Sequence, residues 1–384
     1  MNSLTKGRIQ VIIDSFDVGG TEIHIVRTFS QLVKKGYCVS LLTFESTGNL
    51  FDAAAEAGIE VLAPDASTST LAPPALFSVV KHLHKHISRD AGTIVCVYLP
   101  RAYLLAGFLH LVMRLPSKLV SFRRSMNNYQ TKHRFFGWLE RRLHSYTNFI
   151  VANSKAIVKQ LESEEGVSPE RLKLVYNGID ITPFHRVCSD VNVRQELCLP
   201  DKAVILVVVA NLIPYKGHDD LLRAISLLTK SGKQNAILIC AGDGLENRGD
   251  LLNLASQLGV EEQIFWLGSR WDIPSLLAHA DIGVLPSHEE GFSNAVLEGM
   301  AASLPMVVTN VGGNAEAVID GETGLVVPSK NPKALAAALE KLILDKELRQ
   351  SMGSAGLKRV HERFSLDACV DAYEALFNEV LGSR

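Results

Sequence analysis

The chain reads as an α/β protein built from two doubly wound parallel sheets, and three observations point there. Its 384 residues exceed what one ordinary core organises, so two domains are expected. Short β-branched runs alternate with amphipathic helical stretches along nearly the whole length, the pattern of parallel strands joined by crossover helices. The runs are almost continuously apolar, as strands are when both faces of their sheet are covered.

In order, the first half offers RIQVIIDSF, VSLLTF, IEVLAP, TIVCVYL, KLVSF, FIVANS and LKLVYNGI as strands. The second offers AVILVVVAN, AILICAGDG, IFWLGS, DIGVLPS, PMVVTNV and GLVVP. Between the latter run LLRAISLLTKSG, DLLNLASQLG, IPSLLAHA, SNAVLEGMAAS and the long KALAAALEKLILDKELRQSMGSAGLKRV, all of helical period. The alternation dissolves between Asp180 and Lys202, in ITPFHRVCSDVNVRQELCLPDK. The domains expected are therefore 1–185 and 186–364, with a C-terminal helix, 365–384, packing back on the first. Two such domains would face each other across a cleft along the carboxyl ends of their strands, where open α/β sheets bind ligands.

The net charge of −2 argues against a nucleic-acid partner. It hides an asymmetry: residues 1–200 hold 23 Lys+Arg against 17 Asp+Glu, and the rest 16 against 24. A basic half and an acidic half suit different partners. The six cysteines (Cys38, Cys96, Cys188, Cys198, Cys240, Cys369) show no CxxC spacing, which fits a reducing compartment. MNSLTKGRIQVIID enters a strand almost at once, and no apolar run reaches the ~18 residues of a membrane span. The expectation is a cytoplasmic protein that can still touch the inner face of a membrane.

Three stretches carry candidate chemistry. In FDVGGTEIHIVRTF, Gly19 and Gly20 stand between a strand and a helix starting near Thr21. Such a pair lets a phosphate approach the backbone and the helix N-terminus, or is merely a tight turn. The dinucleotide fingerprint GxGxxG is absent there, which weighs against a dehydrogenase. In ANLIPYKGHDDLLRA a strand ends at Asn211, and Lys216 sits in the following loop, a point charge for a phosphate or a solvated side chain.

The third stretch, SHEEGFSNAVLEGMAA, looks like the end of a strand, a loop and a helix start. Ser293 or Asn294 is a natural N-cap, and the N–H groups of Phe292, Ser293 and Asn294 are helix-start donors. Glu290 and Glu298 flank that start about a turn apart. They suit two hydroxylated groups joined by something anionic, with Lys216 and the helix N-terminus on the anion, as in a nucleotide-sugar. The alternative is a pair of carboxylates favoured there by the helix dipole.

EGFSNAVLE followed by PMVVTNVGGNAEAVIDGETGLVVP resembles the donor-site signature of glycosyltransferase family 4. GGTE, VANSKAI, VYNGID, PYKG, CAGDG and VLPS fall in the family's order and spacing, so the resemblance spans essentially the whole chain. It implies the GT-B fold, two Rossmann-like domains, and a hexosyltransferase that uses a nucleotide-sugar with retention of configuration. By the same resemblance Glu290 would hold donor-sugar hydroxyls, with Gly291 and the N–H groups of Phe292 and Ser293 beside it. Glu298 would hold the ribose, Lys216 the diphosphate, Gly20 the reacting phosphate and Arg270 the base. The departing phosphate would assist deprotonation of the acceptor, so neither a protein nucleophile nor the acid/base carboxyl pair of a glycosidase is expected. No DxD motif occurs, and no metal or other cofactor is expected.

Two departures from the family pattern matter. Asn211 stands where an arginine of the phosphate clamp is usual, and KLVSFRRSM carries Arg123 and Arg124 where many members have a histidine. Either arginine is a candidate to replace the missing cation, Arg123 foremost. The acceptor, lipid-linked or glycan, falls to the first domain. There LPSKLVSFRRSMNNYQTKHRFFGWLERRLHSY, 115–146, holds seven Lys+Arg against the single Glu140, with Phe135, Phe136 and Trp138 interleaved. That composition suits an anionic membrane surface, or else an aromatic core edge with a solvated basic face. Three rival readings of the chain are an epimerase or hydrolase of the same fold, a non-catalytic sugar-nucleotide binder, and a nucleotide-dependent dehydrogenase, which lacks its fingerprint.

Overall fold

The computed structural model describes residues 6–65, 73–126, 130, 133–185, 193–200, 202–233 and 235–382. It divides into two compact units, Met1–Gly178 with Leu366–Arg384, and Ile179–Ser365. Each of the thirteen apolar runs read from the sequence forms a strand.

The first unit is a parallel sheet of seven strands in the order β3-β2-β1-β4-β5-β6-β7. These are β1 (Gly7–Ile13), β2 (Tyr37–Thr43), β3 (Glu60–Leu62), β4 (Thr93–Tyr98), β5 (Lys118–Arg123), β6 (Phe149–Ala152) and β7 (Leu172–Leu174). Its helices are α1 (Gly20–Lys34), α2 (Phe51–Glu56), α3 (Pro73–His86), α4 (Pro100–Met113), α5 (Arg134–Leu143) and α6 (Lys155–Ser163). Every residue of β4 is buried, because helices cover both faces of the sheet. One face packs Ile25, Phe29 and Leu32 of α1 with the C-terminal helix, and the other packs α3, α4 and α5 through Val79, Leu83, Ala106 and Leu143. The strand order reverses between β1 and β4, and Gly19–Gly20 follow β1 at that switch point.

The second unit is a six-stranded parallel sheet in the order β10-β9-β8-β11-β12-β13. Its strands are β8 (Val204–Val209), β9 (Ala236–Ala241), β10 (Ile264–Gly268), β11 (Ile282–Leu285), β12 (Met306–Thr309) and β13 (Gly324–Val327). Among the described residues its longer helices are α7 (His218–Lys230), α8 (Leu245–Leu258), α9 (Ile273–Ala278), α10 (Asn294–Ala301), α11 (Pro332–Leu344) and α12 (Lys346–Arg363). Here the order reverses between β8 and β11. The single long helix read after residue 332 is two. Asp345 leaves helical geometry between α11 and α12, and its carboxylate caps the second by accepting from Leu348 N–H at 2.8 Å.

The chain ends in α13 (Leu366–Gly382), whose Tyr373, Leu376, Phe377 and Val380 are buried in the first unit's core. Tyr373 stacks on Phe122 with ring centroids 5.3 Å apart. Its hydroxyl meets His24 Nε2 at 2.9 Å and the Tyr98 hydroxyl at 3.1 Å. Residues at the end of the sequence thus complete a core begun by its first strand. Phe377→Ala is expected to cost about 3–5 kcal/mol, read as a lower urea midpoint of the full chain. Tyr373→Phe should cost only about 1 kcal/mol. Equal, small losses would contradict this role for the helix.

Candidate active site

In the second unit the loops after β8 and β11 leave adjacent strands at the switch point, and the sequence candidates meet there. Lys216 Nζ donates to Glu290 Oε1 at 2.6 Å, across 74 residues of chain. The same oxygen accepts from the Ser287 hydroxyl at 2.7 Å. Both charged side chains are largely buried, 18% and 10% exposed, so the pair is shielded more than a surface bridge would be.

Backbone contacts lock the loops together. His288 N–H donates to Tyr215 O at 2.7 Å, and His288 Nε2 lies 2.8 Å from Asp220 Oδ2. Gly217 is left-handed at φ 70°, and a Cβ there would lie 2.1 Å from Pro286 O, so this approach admits only glycine. Gly312 plays the same part on the other side: its φ is 51°, and a Cβ would fall 1.9 Å from Glu290 O. Gly313 N–H then donates to Gly291 O at 2.7 Å, and the Thr309 hydroxyl to Ser287 O at 2.5 Å. Glu290 and Gly291 are therefore held from the β8, β11 and β12 loops at once.

The remaining candidates are placed as follows. Phe292 and Ser293 are buried before α10, with the Phe292 ring against Phe364 at 5.2 Å. Ser293 is the N-cap residue, but its hydroxyl makes no capping bond. Asn294 opens α10, and Glu298, half-buried, lies on the same helix. Asn211 is exposed just past β8 and its carbonyl accepts from Ile213 N–H at 2.8 Å. Arg270 is gripped by Asp272 at 2.6 Å and by Glu196 at 2.8 Å, and these bonds hold its proton more tightly than usual.

In the first unit Gly19 is the N-cap residue of α1 and Gly20 its first residue. Arg123, at the end of β5, is 7% exposed and donates to Glu140 at 2.5 Å and Glu165 at 3.0 Å. Gln130 bridges the two carboxylates, and His144 Nε2 adds a third contact to Glu165 at 3.0 Å. The cation sought at this position is thus engaged with two acids of its own unit. Arg123, Arg124, Thr21 and Tyr103 line a small cavity of about 60 Å³ beside it.

Ser287, His288 and the other histidines were not singled out from the sequence. His24, His144 and His218 are buried. His218 opens α7 with neither ring nitrogen hydrogen-bonded, and burial, reinforced by Lys216, pushes it down to about 4. Its place directly after Lys216-Gly217 was the available signal. Asp219, Asp220 and His288 bring possible cation ligands within 4.8 Å of one another, but the His288–Asp220 bond gives them a structural use.

Two Rossmann-like units with these switch points define the GT-B class of fold, and solved structures of that class share it. Anabaena HepE in complex with UDP-glucose matches at TM-score 0.83 and 21% identity, over 97% of this chain and 100% of that one. Sucrose-phosphate synthase from Thermosynechococcus elongatus matches at 0.83 and 19%, over 99% and 100%. The model for glycosyltransferase family 4 matches residues 18–182, and that for glycosyl transferases group 1 matches 191–359. The chain belongs to this family. Among curated relatives, the D-inositol 3-phosphate glycosyltransferase of Salinispora arenicola is 29% identical over 61% of this chain and 55% of its own length. That of Corynebacterium glutamicum is 26% identical over 96% and 93%. The chain spans about half the length of the first of these relatives and nearly all of the second.

Two outcomes follow. Gly217→Ala should part the β8 and β11 loops and lower the melting temperature, whereas Gly259→Ala, left-handed but with open space around it, should cost less. Equal effects would count against the close approach. Burial alone would raise the Glu165 carboxyl, but His144, Arg123 and Gln130 outweigh it and hold it below 4.5. A depressed carboxyl adds stability above its unfolded value and loses it as pH falls through the folded one. Glu165→Gln should therefore lower stability near neutrality and flatten its fall below about pH 4. An unchanged pH slope of the melting temperature would contradict the assignment.

Proposed function

We propose that the protein is a retaining glycosyltransferase that moves a sugar from a nucleotide-sugar to a hydroxyl of a lipid-linked or glycan acceptor, without a divalent metal. The observation that carries this reading is the Lys216–Glu290 contact at the β8/β11 switch point, beside the start of α10. A cation, a carboxylate and a helix N-terminus at one crevice suit a ligand with a diphosphate joined to a polyol. Glu290 takes sugar hydroxyls, Lys216 the diphosphate and Glu298 the ribose. UDP is favoured over GDP because the HepE structures hold UDP and UDP-glucose. A cell-surface glycan acceptor fits the similarity to WaaG, described as involved in lipopolysaccharide biosynthesis.

In the reaction, the bond from the sugar's anomeric carbon to the phosphate oxygen breaks and a bond to the acceptor oxygen forms on the same face. The acceptor proton passes to the departing phosphate. Since the diphosphate is already a good leaving group, the protein's part is to position the reactants and stabilise the charge that develops on it. Incubating UDP-glucose with the full chain in EDTA and following UDP release tests this. Lys216→Ala should lower turnover by about 10²–10³-fold, the usual effect of deleting one electrostatic stabiliser. Unaltered turnover in that variant, or a strict need for metal, would overturn the mechanism. Consumption of donor at the same rate with and without added lipid-linked or glycan acceptors would favour a hydrolase or epimerase.

A further inference from the structure

The first unit carries a surface that donor chemistry does not use. Between Asp65 and Glu140 the sequence contains one acid, Asp90, against ten Lys+Arg. The structure shows where this bias lies. Helices α3, α4 and α5 cover one face of the sheet, with α4 packed against both of the others. Their outer side leaves large apolar residues in solvent: Phe77 on α3, Phe108 and Val112 on α4, and Phe135, Phe136 and Trp138 on α5. Phe135 is 67% exposed, Val112 61% and Phe108 54%, values unusual for side chains of this size.

Two details separate this face from a frayed core edge. From Ala102 to Met113, α4 holds no charged residue, although its outer side is open. A helix apolar all round is expected to be covered on every side. The single acid of α5, Glu140, is turned inward and 1% exposed, held by Arg123. The outward face of α5 is thereby left with aromatics and the exposed Arg134, Arg141 and Arg142, and Arg142 sits over the Trp138 ring at 5.4 Å. Lys81 and Lys85 on α3 and Arg114 after α4 are exposed as well.

We infer that the outer side of α3, α4 and α5 is a docking face for an anionic lipid surface. Interleaved aromatics and Lys/Arg, with the acid withdrawn, match an interface where apolar groups enter the acyl boundary and cations meet headgroups. Among the described residues no helix is long and apolar enough to cross a membrane, so the contact is peripheral. The face is not the continuous 115–146 segment that composition singles out. Leu115 and Arg123 are buried, Lys132 lies outside the described residues, and two of the three helices come from earlier in the chain. The inference extends the proposed function by giving the enzyme a place of work, and its readout does not depend on turnover.

The test is co-sedimentation of the full chain with vesicles of equal parts phosphatidylcholine and phosphatidylglycerol, and with phosphatidylcholine alone. Binding should be confined to the anionic vesicles and accompanied by a blue shift of emission that Trp138→Phe removes. Each cation contributes roughly fivefold in partitioning, so Arg134→Glu with Arg142→Glu should weaken binding more than tenfold. Phe108→Ser with Val112→Ser, on a different helix, should weaken it too, with the melting temperature unchanged because the side chains are exposed. Absence of anionic-vesicle binding, or binding unaffected by the α4 pair, overturns the proposal. So does a wild-type dimer by light scattering that either pair dissolves, since the face would then belong to a second copy.

Discussion

The contact between Lys216 and Glu290 depends on a topological accident of parallel sheets, namely that neighbouring strands at a switch point send their loops in opposite directions. Here β8 and β11 are such neighbours, and the crevice between them lets two residues 74 positions apart meet. The pair alone would be a modest source of stability. Its geometry is imposed by Gly217 and Gly312, each placed where a side chain would strike the opposing backbone. The Ser287 hydroxyl, bound to the same carboxylate oxygen as Lys216, fixes the Glu290 side chain further. A site held this way is preorganised, so little ordering remains for a ligand to impose.

The first unit shows the same economy with a different result. Its β5 ends in Arg123, and two carboxylates from distant segments, Glu140 and Glu165, converge on that guanidinium. Breaking such a buried cluster leaves uncompensated charge, so its members act as a unit. The cluster also explains a surface property: drawing Glu140 inward strips the outer face of α5 of its only acid. One ion pair thereby joins the interior at the end of β5 to the character of a surface helix.

Most of the architecture could be read from the chain because its signals are local. Apolar runs of strand length, helical periodicity and glycines at strand ends do not need the partner residue to be known. The loops carrying Lys216 and Glu290 could be placed on strand ends for the same reason. What escaped was non-local. Nothing in KLVSFRR announces that Arg123 has acids waiting at residues 140 and 165. Likewise nothing in WLGSRWD tells that Arg270 is held by Glu196 from before β8. The place of His218 directly after Lys216-Gly217 marks it as near the site, but its burial depends on packing that the local sequence does not show. The aromatic run RFFGW could belong to core or surface, and only the packing of α4 against α5 separates the two.

The most direct measurement is the thermal stability of wild type and Glu298→Ala with UDP, GDP and ADP in the presence of EDTA. A ligand bound only by the folded protein raises its melting temperature, by an amount that grows with the logarithm of its concentration over its Kd. Wild type should show a clear rise with UDP and a smaller one with GDP, and the variant, lacking the proposed ribose contact, should respond little. No shift with any nucleotide, or equal shifts in both proteins, would contradict a nucleotide-sugar site at the β8/β11 crevice.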